Sequence, residues 1–396
     1  MPVFRPFQAF RFSPDADLNQ TIAPPYDVLS DADVAELAAR DPHNIVHIDV
    51  PQGDEQRYER AAEALSDWLA EGVLVQDPVP SFTIYRMAFT DAAGANREIV
   101  GVLGGLEVVD EGAGGVLPHE RTTPKAKTDR LDLTRATHAN LSPVWGLSLA
   151  RGLTDALREP GEPMGSMEAE GVVHTVERVT DPERVARIEE ILAADDVLIA
   201  DGHHRYAISR TYRDEVRAAT GRTDTDAELT LTFVNELIPE QLSIEAIHRL
   251  YTGTTVEQLR AKLSESFYIE PAPELTRHLL GDMVELGRLL LLFVENGEPG
   301  AEWLIPKPEV FEGVRALDGA YLEHALAGFP HEVQYQHGLQ ETGERVLAGD
   351  VAAAILIRPT SLGEIERTAR EGLLMPPKST FFTPKLRTGF VVRPTA

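Results

Sequence analysis

The sequence predicts an α+β fold (mixed α/β), in which helices and strands follow one another in mixed order. Three observations indicate this class. Apolar residues in 55–71 recur at the spacing of one face of a helix. Residues 81–89 and 98–109 alternate between apolar and polar side chains, as half-buried strands do. In the second half of the chain, short apolar runs alternate with segments of helical periodicity.

The first half of the chain contains further local signals. Ser30 stands where an N-cap residue is expected before a helix at 31–40. Residues 91–96 are predicted as the turn of a hairpin, and residues 144–149 as a strand. Residues 158–171 are rich in Gly, Pro, Glu and Met and are predicted as a linker.

This linker would divide the chain into an N-terminal α+β region at 1–157 and a C-terminal α/β region at 172–396. In the C-terminal region, Asn296-Gly297 between two apolar runs predicts a hairpin. The other elements expected there are helices at 182–193, 205–220, 256–266 and 362–371, and strands at 197–200, 229–234, 352–357 and 389–393.

Length and composition are those of a globular protein. The chain has 396 residues, of which 43% are hydrophobic, so it can bury a substantial core and form two or three domains. There is no cysteine, which excludes disulfides, thiolate metal sites and cysteine nucleophiles. The first residues lack the pattern of a signal peptide, so we expect a cytoplasmic protein.

Charge and hydropathy limit the expected partners. The net charge is −27, and a surface this acidic repels a phosphate backbone, so we expect no nucleic-acid partner. The longest apolar run, 289–294, is too short to span a bilayer, so we expect no membrane partner either. A small-molecule substrate is the remaining expectation, and the oligomeric state stays open.

The strongest functional signal is the string Asp-Gly-His-His-Arg at 201–205. It stands between an expected strand and an expected helix. Free backbone N–H groups and the positive end of the helix dipole attract anions at such a junction. Gly202, His203 and Arg205 are therefore predicted to bind phosphate groups. The structural alternative is a tight turn with two surface histidines.

A second candidate segment follows a glycine-rich stretch and is dense in charged groups. In sequence order it carries His119, Glu120, Lys125, Lys127, Asp129 and Arg130. A carboxylate and an imidazole beside several cations suit proton abstraction from a hydroxyl and neutralisation of a phosphoryl group. The alternative is a solvated loop with incidental ion pairs.

A third candidate segment is the proline-stiffened stretch at 373–385. Lys378, Ser379 and Thr380 supply an ammonium group and two hydroxyls there, which suit either phosphate contact or a structural closing loop. Lysine is rare in this chain, and four of its six lysines fall in the second and third segments. A lysine kept where arginine supplies most of the positive charge suggests a need for a compact ammonium group, and the alternative is chance clustering of six residues.

Two weaker signals have simple structural explanations. Tyr26 and Asp27 follow two prolines and could touch a ligand, but a proline-rich turn explains them as well. His248 lies in a strand-like context, where a lone histidine is more often structural than catalytic.

Four separated motifs occur in a specific order. They are Ala-Pro-Pro-Tyr-Asp-Val at 23–28, His-Glu with Lys-Xaa-Asp-Arg and Ala-Asn-Xaa-Ser-Pro within 119–143, Asp-Gly-His-His-Arg-Tyr at 201–206, and Met-Pro-Xaa-Lys-Ser-Thr-Xaa-Phe-Xaa-Pro-Lys at 375–385. In these motifs the chain resembles, over essentially its whole length, the family catalogued as domain of unknown function 1015. One departure is Ala246-Ile247-His248-Arg249, where Thr-His-Arg is expected, and it weakens any role for His248.

The Asp-Gly-His-His-Arg element is also similar to the signature loop of the ParB/sulfiredoxin-like superfamily, which includes kinases of free serine. This local resemblance implies a ParB/sulfiredoxin-like core element with additional α+β elaborations. It also implies that the strand–loop–helix binds nucleotide phosphates. The resemblance to the family of domain of unknown function 1015 suggests, by analogy, a link to serine metabolism.

Together these signals predict a phosphotransfer enzyme acting on a small hydroxylated metabolite. The best candidates are a nucleotide-dependent free-serine kinase and a phosphoserine phosphatase. ATP or ADP and Mg²⁺ are the expected cofactors. The residues expected to bind phosphate or nucleotide are Gly202, His203, Arg205, Lys125, Lys127, Arg130, Lys378, Ser379 and Thr380. The expected catalytic residues are Glu120, His119, Asp201 and His204, and the expected magnesium ligands are Asp129 and Asp201. The site would be shared by the two regions.

Two alternatives stay open. The first is a nucleotide-binding regulatory module of ParB-like type, without metabolite turnover. The second is a metal-dependent hydrolase that draws its ligands from the histidines and carboxylates of the first two segments. It is less favoured because no His-Glu-Xaa-Xaa-His or comparable spacing is present.

Overall fold

The computed structural model describes residues 1–91, 94–118, 127–272, 279–375 and 378–395. Helices and strands alternate within these ranges, so the predicted mixed α/β class is confirmed. The helices are α1 (Leu18–Thr21), α2 (Asp31–Arg40), α3 (Val46–Asp49), α4 (Arg57–Ala70), α5 (Lys127–Thr137), α6 (Leu153–Ala156), α7 (Pro182–Leu192), α8 (His203–Thr220), α9 (Val256–Leu263), α10 (Leu279–Leu286), α11 (Asp318–Ala325), α12 (Leu339–Leu347) and α13 (Leu362–Arg370). No helix among the described residues is long and apolar enough to cross a membrane.

The strands include most of those expected from the sequence. They are β1 (Phe4–Arg5), β2 (Phe10–Phe12), β3 (Leu74–Gln76), β4 (Phe82–Thr90), β5 (Asn96–Glu107), β6 (Val116–Leu117), β7 (Ala139–Asn140), β8 (Val144–Ser148), β9 (Glu162–Ala169), β10 (Val172–Val179), β11 (Val197–Asp201), β12 (Leu229–Glu236), β13 (Ile244–Glu245), β14 (Ile247–Thr252), β15 (Phe267–Pro271), β16 (Leu289–Glu295), β17 (Glu298–Pro306), β18 (Glu332–His337), β19 (Ala353–Leu356), β20 (Phe381–Phe382) and β21 (Arg393–Pro394).

The chain divides into two compact units. Unit 1 consists of Met1–Ser243, Thr368–Leu373 and Pro384–Ala396, and unit 2 consists of Ile244–Arg367 and Leu374–Thr383. The segment 158–171, expected as a linker, instead contains β9, which pairs with β10 inside unit 1. Glu170 and Gly171 form the turn between these strands with φ of 53° and 74°. Two consecutive positive φ angles are typical of a tight hairpin turn.

Unit 1 is built on a mixed sheet with the strand order β6-β11-β8-β12-β5-β4-β10-β9, and β1 pairs with β5. Strand β11 runs antiparallel to β8, so the end of β11 lies beside the start of β8, with Asp201 opposite Trp145. Strands β8 and β12 run parallel, with Val144 opposite Thr232. This register places the residues just before β8 next to those just after β11.

Helices of unit 1 pack on the sheet around β11. Leu153 of α6, Ile188 of α7 and Tyr206 of α8 belong to one apolar core with Val197 and Ile199 of β11. Burial of these side chains is the main force that fixes the start of α8 against the end of β11.

The C-terminal segment returns to unit 1. Strand β21 pairs with β7, and Thr388 forms an isolated bridge with Ala23. A strand was expected at 389–393, but the observed strand β21 begins only at Arg393. Val392, just before it, makes an isolated bridge with Phe10. Lys385 of this segment lies 3.0 Å from Asp201 at the end of β11.

Unit 2 is built on an antiparallel sheet with the order β15-β17-β16-β19-β14-β18. Strand β16 is buried on both faces: Leu289 and Leu291 enter one core, and Leu290 and Leu292 enter another. Because side chains alternate along a strand, burial on both faces requires an uninterrupted apolar run. The predicted Asn-Gly turn joins β16 to β17, and both of its residues have positive φ.

His248 is a buried residue of β14 in unit 2. Its exposed fraction is 2%, and its Nδ1 accepts a hydrogen bond from the backbone N–H of Ile357 at 3.3 Å. Burial lowers the pKa of the His248 imidazole to about 4, and the neighbouring Arg249 adds to the shift. A neutral, hydrogen-bonded histidine agrees with a structural role.

Candidate functional site

The predicted strand–turn–helix junction is present in unit 1. Strand β11 ends at Asp201, and α8 begins at His203, with Gly202 as its N-cap residue. Gly202 has a φ of 83° and ψ of 28°, in the left-handed region. A Cβ atom at this position would lie 3.1 Å from both Nε and Cζ of Arg205. The junction therefore needs glycine for its backbone angles and for the close approach of Arg205.

Asp201 is the carboxylate at the centre of the junction. Its Oδ1 accepts a hydrogen bond from the backbone N–H of Gly202 at 2.9 Å, and its Oδ2 lies 3.0 Å from Nζ of Lys385 and 3.6 Å from Arg205. Burial on its own raises the pKa of the Asp201 carboxyl. The cations of Lys385 and Arg205 outweigh burial and hold that pKa well below its ordinary value. Asp201 is therefore a weak proton acceptor.

Arg205 is nine-tenths buried and holds three parts of unit 1 together. Its Nη1 donates to the backbone carbonyl of Pro143, just before β8. Its Nη2 lies 3.2 Å from Oδ2 of Asp27 and 3.6 Å from Asp201. Its Nε is buried and has no hydrogen-bond partner within the described part of the chain. One face of this guanidinium thus retains an unused donor beside the start of α8.

A small cleft opens next to this junction. Tyr26, Asp49, Arg130, Ser142 and Arg205 line it on its polar side. The ring of Tyr26 lies between two guanidinium groups, 4.4 Å from Arg130 and 6.0 Å from Arg205. Burial raises the pKa of the Tyr26 hydroxyl, against the opposing effect of Arg205, so Tyr26 is a neutral hydrogen-bonding group.

Asp49 is a buried carboxylate in this cleft. The side chain is 3% exposed, and the hydroxyl of Ser142 donates to its Oδ2 at 3.1 Å. Arg130 donates to the backbone carbonyl of Asp49 and approaches its Oδ1 at 3.5 Å. Burial raises the pKa of the Asp49 carboxyl, although Arg130 and Ser142 oppose the rise. Asp49 and Asp201 are thus shifted in opposite directions, a pattern typical of sites that handle protons.

Asp129, expected as a magnesium ligand, is held by three donors. The hydroxyl of Tyr58 donates to its Oδ1 at 2.6 Å, Arg57 lies 3.2 Å from the same atom, and Arg130 donates to Oδ2 at 3.0 Å. Partial burial raises the pKa of Asp129, but these donors outweigh burial and lower it. Both oxygens are occupied, so this geometry does not favour Asp129 as a metal ligand.

The remaining predicted residues are placed as follows. His119, Glu120 and Lys125 lie outside the described residues. Lys127 begins α5, and His203 and His204 form the first turn of α8, where both are half-buried. Lys378, Ser379 and Thr380 belong to unit 2, where Lys378 has a φ of 61° and the carbonyl of Ser379 accepts a hydrogen bond from Thr360 at 3.0 Å. Across the described ranges, no group of three or more His, Asp or Glu side chains is arranged to hold a metal ion.

The structure thus brings together the junction at 201–205 and Arg130, all of them predicted, and adds residues that were not predicted from the sequence. Those residues are Asp49, Ser142 and Lys385. A usable signal existed for Asp49, because a charged residue inside an otherwise apolar stretch is rarely buried without a partner. Lys385 belonged to the rare lysines of the third segment.

Comparisons with known proteins give one family match and distant structural likenesses. No curated protein matches the sequence. A free serine kinase in complex with AMP is 13% identical with a TM-score of 0.38, over 68% of this chain and 84% of the other. A conserved hypothetical protein from Pyrococcus furiosus is 11% identical with a TM-score of 0.39, over 70% of this chain and 92% of the other. SbnI with a C-terminal truncation, from Staphylococcus aureus, is 12% identical with a TM-score of 0.38, over 74% of this chain and 87% of the other.

Likeness at these identities and TM-scores establishes no activity. The family match is different in kind, because it covers most of the sequence. The profile of the family described as protein of unknown function (DUF1015) matches residues 4–320, and this chain belongs to that family.

Proposed function

We propose that this protein is a phosphotransfer enzyme that uses a nucleotide and acts on a small hydroxylated metabolite, with free serine the first substrate to test. One observation carries the proposal. The start of α8 is capped by a glycine without a side chain, and two cations, Arg205 and Lys385, lie beside it. A phosphate group is the ligand that this combination suits best.

The backbone at the start of α8 supplies part of the attraction. The first N–H groups of a helix have no partner in a preceding turn, and the helix dipole adds positive charge there. A side chain at Gly202 would press on the guanidinium group of Arg205, which lies 3.1 Å from the position of the added Cβ. The half-buried His203 and His204 stand in the same turn and can donate further hydrogen bonds.

The cations at the junction supply the other part. Arg205 keeps a buried Nε without a hydrogen-bond partner among the described residues, next to the Gly202 backbone. Lys385 is 19% exposed, so its ammonium group can reach a ligand while it remains near Asp201. Asp27 and Asp201 balance the charge of these two cations, so the attraction for an anion at the junction comes from their N–H donors together with the first N–H groups of α8.

Magnesium accompanies nucleotide phosphates in most enzymes of this class and neutralises charge on their oxygens. Such an ion needs one or two protein carboxylates in addition to the phosphates. Asp27 and Asp201 are the carboxylates beside Arg205. Both oxygens of Asp201 are already engaged by Gly202 and Lys385, as those of Asp129 are by their own donors, so Asp27 is the better placed to hold the ion.

Asp49 suits the role of proton acceptor for the substrate hydroxyl better than Asp201. A general base works best when its pKa lies near the working pH, and burial raises the pKa of Asp49 while two cations lower that of Asp201. Asp49 also lines the cleft together with Ser142 and Tyr26, which can position a small polar substrate. Glu120 stays a predicted alternative for this role.

The experiment is an assay of the full-length protein with ATP or ADP, Mg²⁺ and L-serine, followed by ³¹P NMR for phosphoserine. The same assay starting from phosphoserine tests the reverse and phosphatase directions. We expect His204→Ala and Lys125→Ala to lower turnover strongly while the protein stays folded. His43→Ala is the matched control, because His43 is a half-exposed histidine between α2 and α3 and does not line the cleft.

If neither serine nor any other hydroxylated metabolite of a broad panel is turned over although ATP binds, the enzymatic proposal fails. Nucleotide binding without turnover would instead support the regulatory module.

A further inference from the structure

Unit 1 contains a second cavity, of about 290 Å³, between α2, α3 and α4. The apolar part of its lining is formed by Val34 and Ala38 of α2, Val46 of α3, Val50 and Ala61, which we call its floor. His47, Pro51 and Gln52 also line the cavity. Val34, Val46 and Ala61 are almost completely buried, so the floor is part of the packed core. The polar residues described above for the cleft do not line this cavity.

Two arginines of α4 stand at the edge of the cavity. Arg57 and Arg60 are three residues apart on one helix, so their side chains project from the same face, together with Ala61. Their side chains are 31% and 47% exposed. A ligand that lies on the apolar floor would therefore meet two guanidinium groups at its solvent end.

Both arginines already have acidic partners. Arg57 pairs with Asp129 at 3.2 Å, and Arg60 pairs with Asp54 at 2.8 Å. The two cations are thus already balanced by two carboxylates. Each guanidinium group has five N–H donors, so both can still donate to an added carboxylate, while the repulsion from Asp54 and Asp129 grows with the negative charge of the ligand.

We propose that this cavity binds a small aliphatic monocarboxylate, with its alkyl chain on the floor and its carboxylate between Arg57 and Arg60. Burial of the alkyl chain provides apolar contact, and planar guanidinium groups suit the geometry of a carboxylate. The proposal does not depend on the phosphotransfer activity, because it concerns different residues and can be tested by binding alone.

The test uses the full-length protein and sodium hexanoate in a calorimetric or NMR titration. Hexan-1-ol has the same chain without the charge, hexylamine carries the opposite charge, and inorganic phosphate carries charge without the chain. We expect hexanoate to bind with a dissociation constant in the millimolar range or below, and each of the other three probes to bind at least fivefold more weakly.

Two variants locate the site. Arg60→Gln removes one guanidinium group from an exposed position and is expected to weaken hexanoate binding at least fivefold. Ala38→Leu fills the floor of the cavity and is expected to abolish binding. Arg40→Gln is the matched control, because Arg40 is a partly exposed arginine of α2 that pairs with Glu36 and does not line the cavity.

The proposal is overturned if hexanoate does not bind, if it binds no better than hexan-1-ol, or if Arg60→Gln binds it as the natural sequence does. Thermal melting shows whether each variant is folded. Should Ala38→Leu fail to fold, the comparison of Arg60→Gln with Arg40→Gln decides the question.

Discussion

The ammonium group of Lys385 lies 3.0 Å from Oδ2 of Asp201 and thereby joins the C-terminal segment of the chain to the end of β11. The two residues are 184 positions apart in sequence. Their contact places a rare lysine beside the helix start to which we assign phosphate binding. The positive charge of Lys385 also lowers the pKa of Asp201, so this carboxyl group stays ionised.

The first prediction concerns this pair. Lys385→Met removes the ammonium group and keeps most of the chain volume, so we expect the affinity for ATP to fall and turnover to drop by about 10- to 100-fold. Lys262→Met is the control, since Lys262 lies on α9 of unit 2 and pairs with Glu265. Titration of ATP and the ³¹P assay measure the two effects. Unchanged ATP affinity and turnover in Lys385→Met would remove Lys385 from the site.

The second prediction concerns Gly202. Gly202→Ala introduces a Cβ at a positive φ and 3.1 Å from the Arg205 guanidinium, so we expect a loss of about 1–3 kcal/mol in the free energy of unfolding. Gly221→Ala is a matched control with a φ of 70° and nothing within 4 Å of the added atom, so it carries the backbone strain alone. Urea unfolding compares the two. Equal losses would show that the contact with Arg205 has no energetic effect.

Local periodicity was sufficient to predict many elements of the fold. The capping signal at Ser30 is realised as a capping box, with the side chains and backbones of Ser30 and Asp33 bonded reciprocally. The hairpin turn at Asn296-Gly297 requires a positive φ at both residues, and Asn and Gly adopt such angles more easily than other residues. In both cases the interactions that decide the structure lie within a few residues of each other.

Strand β9 was missed because its sequence lacks the alternation that burial produces. It lies at the end of the sheet, and Met167 is its buried residue. An edge strand exposed along most of its length needs no regular apolar pattern, so its Gly, Pro and Glu content resembles that of a linker. The pairing with β10, which depends on tertiary contacts, decides its conformation.

The candidate site was predicted in part for a similar reason. The junction at 201–205 is contiguous, so a strand, a turn and a helix could be predicted from neighbouring residues. Asp49 is 81 residues from Arg130 and 93 residues from Ser142 in sequence, and tertiary packing brings the three together. No local pattern encodes such contacts, so the cleft and the pKa shift of Asp49 required the structure.

The third prediction concerns Asp49. Because its pKa is raised in the folded protein, the folded state binds more protons than the unfolded state between the ordinary carboxyl pKa and the raised value. The free energy of unfolding therefore decreases as pH rises through that interval. Asp49→Asn removes the titration, so we expect this decrease to disappear and turnover to fall by about 100-fold or more. Urea unfolding across pH and the ³¹P assay measure both.

The control for Asp49 is Asp132→Asn, a half-exposed aspartate of α5 that pairs with Arg135. This variant should keep both the turnover and the pH dependence of the natural protein. Full turnover in Asp49→Asn would exclude Asp49 as the proton acceptor and leave Glu120 as the candidate.

The fourth prediction concerns His174, which is completely buried in β10. Its Nδ1 lies 2.7 Å from the hydroxyl of Tyr85, and Nε of Arg387 lies 3.4 Å from its Nε2. Burial lowers the pKa of His174 from 6.5 to about 3, and the charge of Arg387 adds to the shift. Between these values the unfolded chain takes up a proton that the folded protein does not. Stability is therefore complete above pH 6.5 and is lost as the pH falls toward 3.

The variant that tests this is His174→Gln, which keeps a hydrogen-bonding side chain but does not titrate. Between pH 6 and pH 4 we expect the free energy of unfolding of the natural protein to fall more steeply than that of His174→Gln, by about 1.4 kcal/mol per pH unit. Urea unfolding followed by tryptophan fluorescence at several pH values measures both slopes. His43→Gln is the control, because His43 is 37% exposed. Parallel slopes for the natural protein and His174→Gln would show that His174 is not the group that makes unit 1 sensitive to acid.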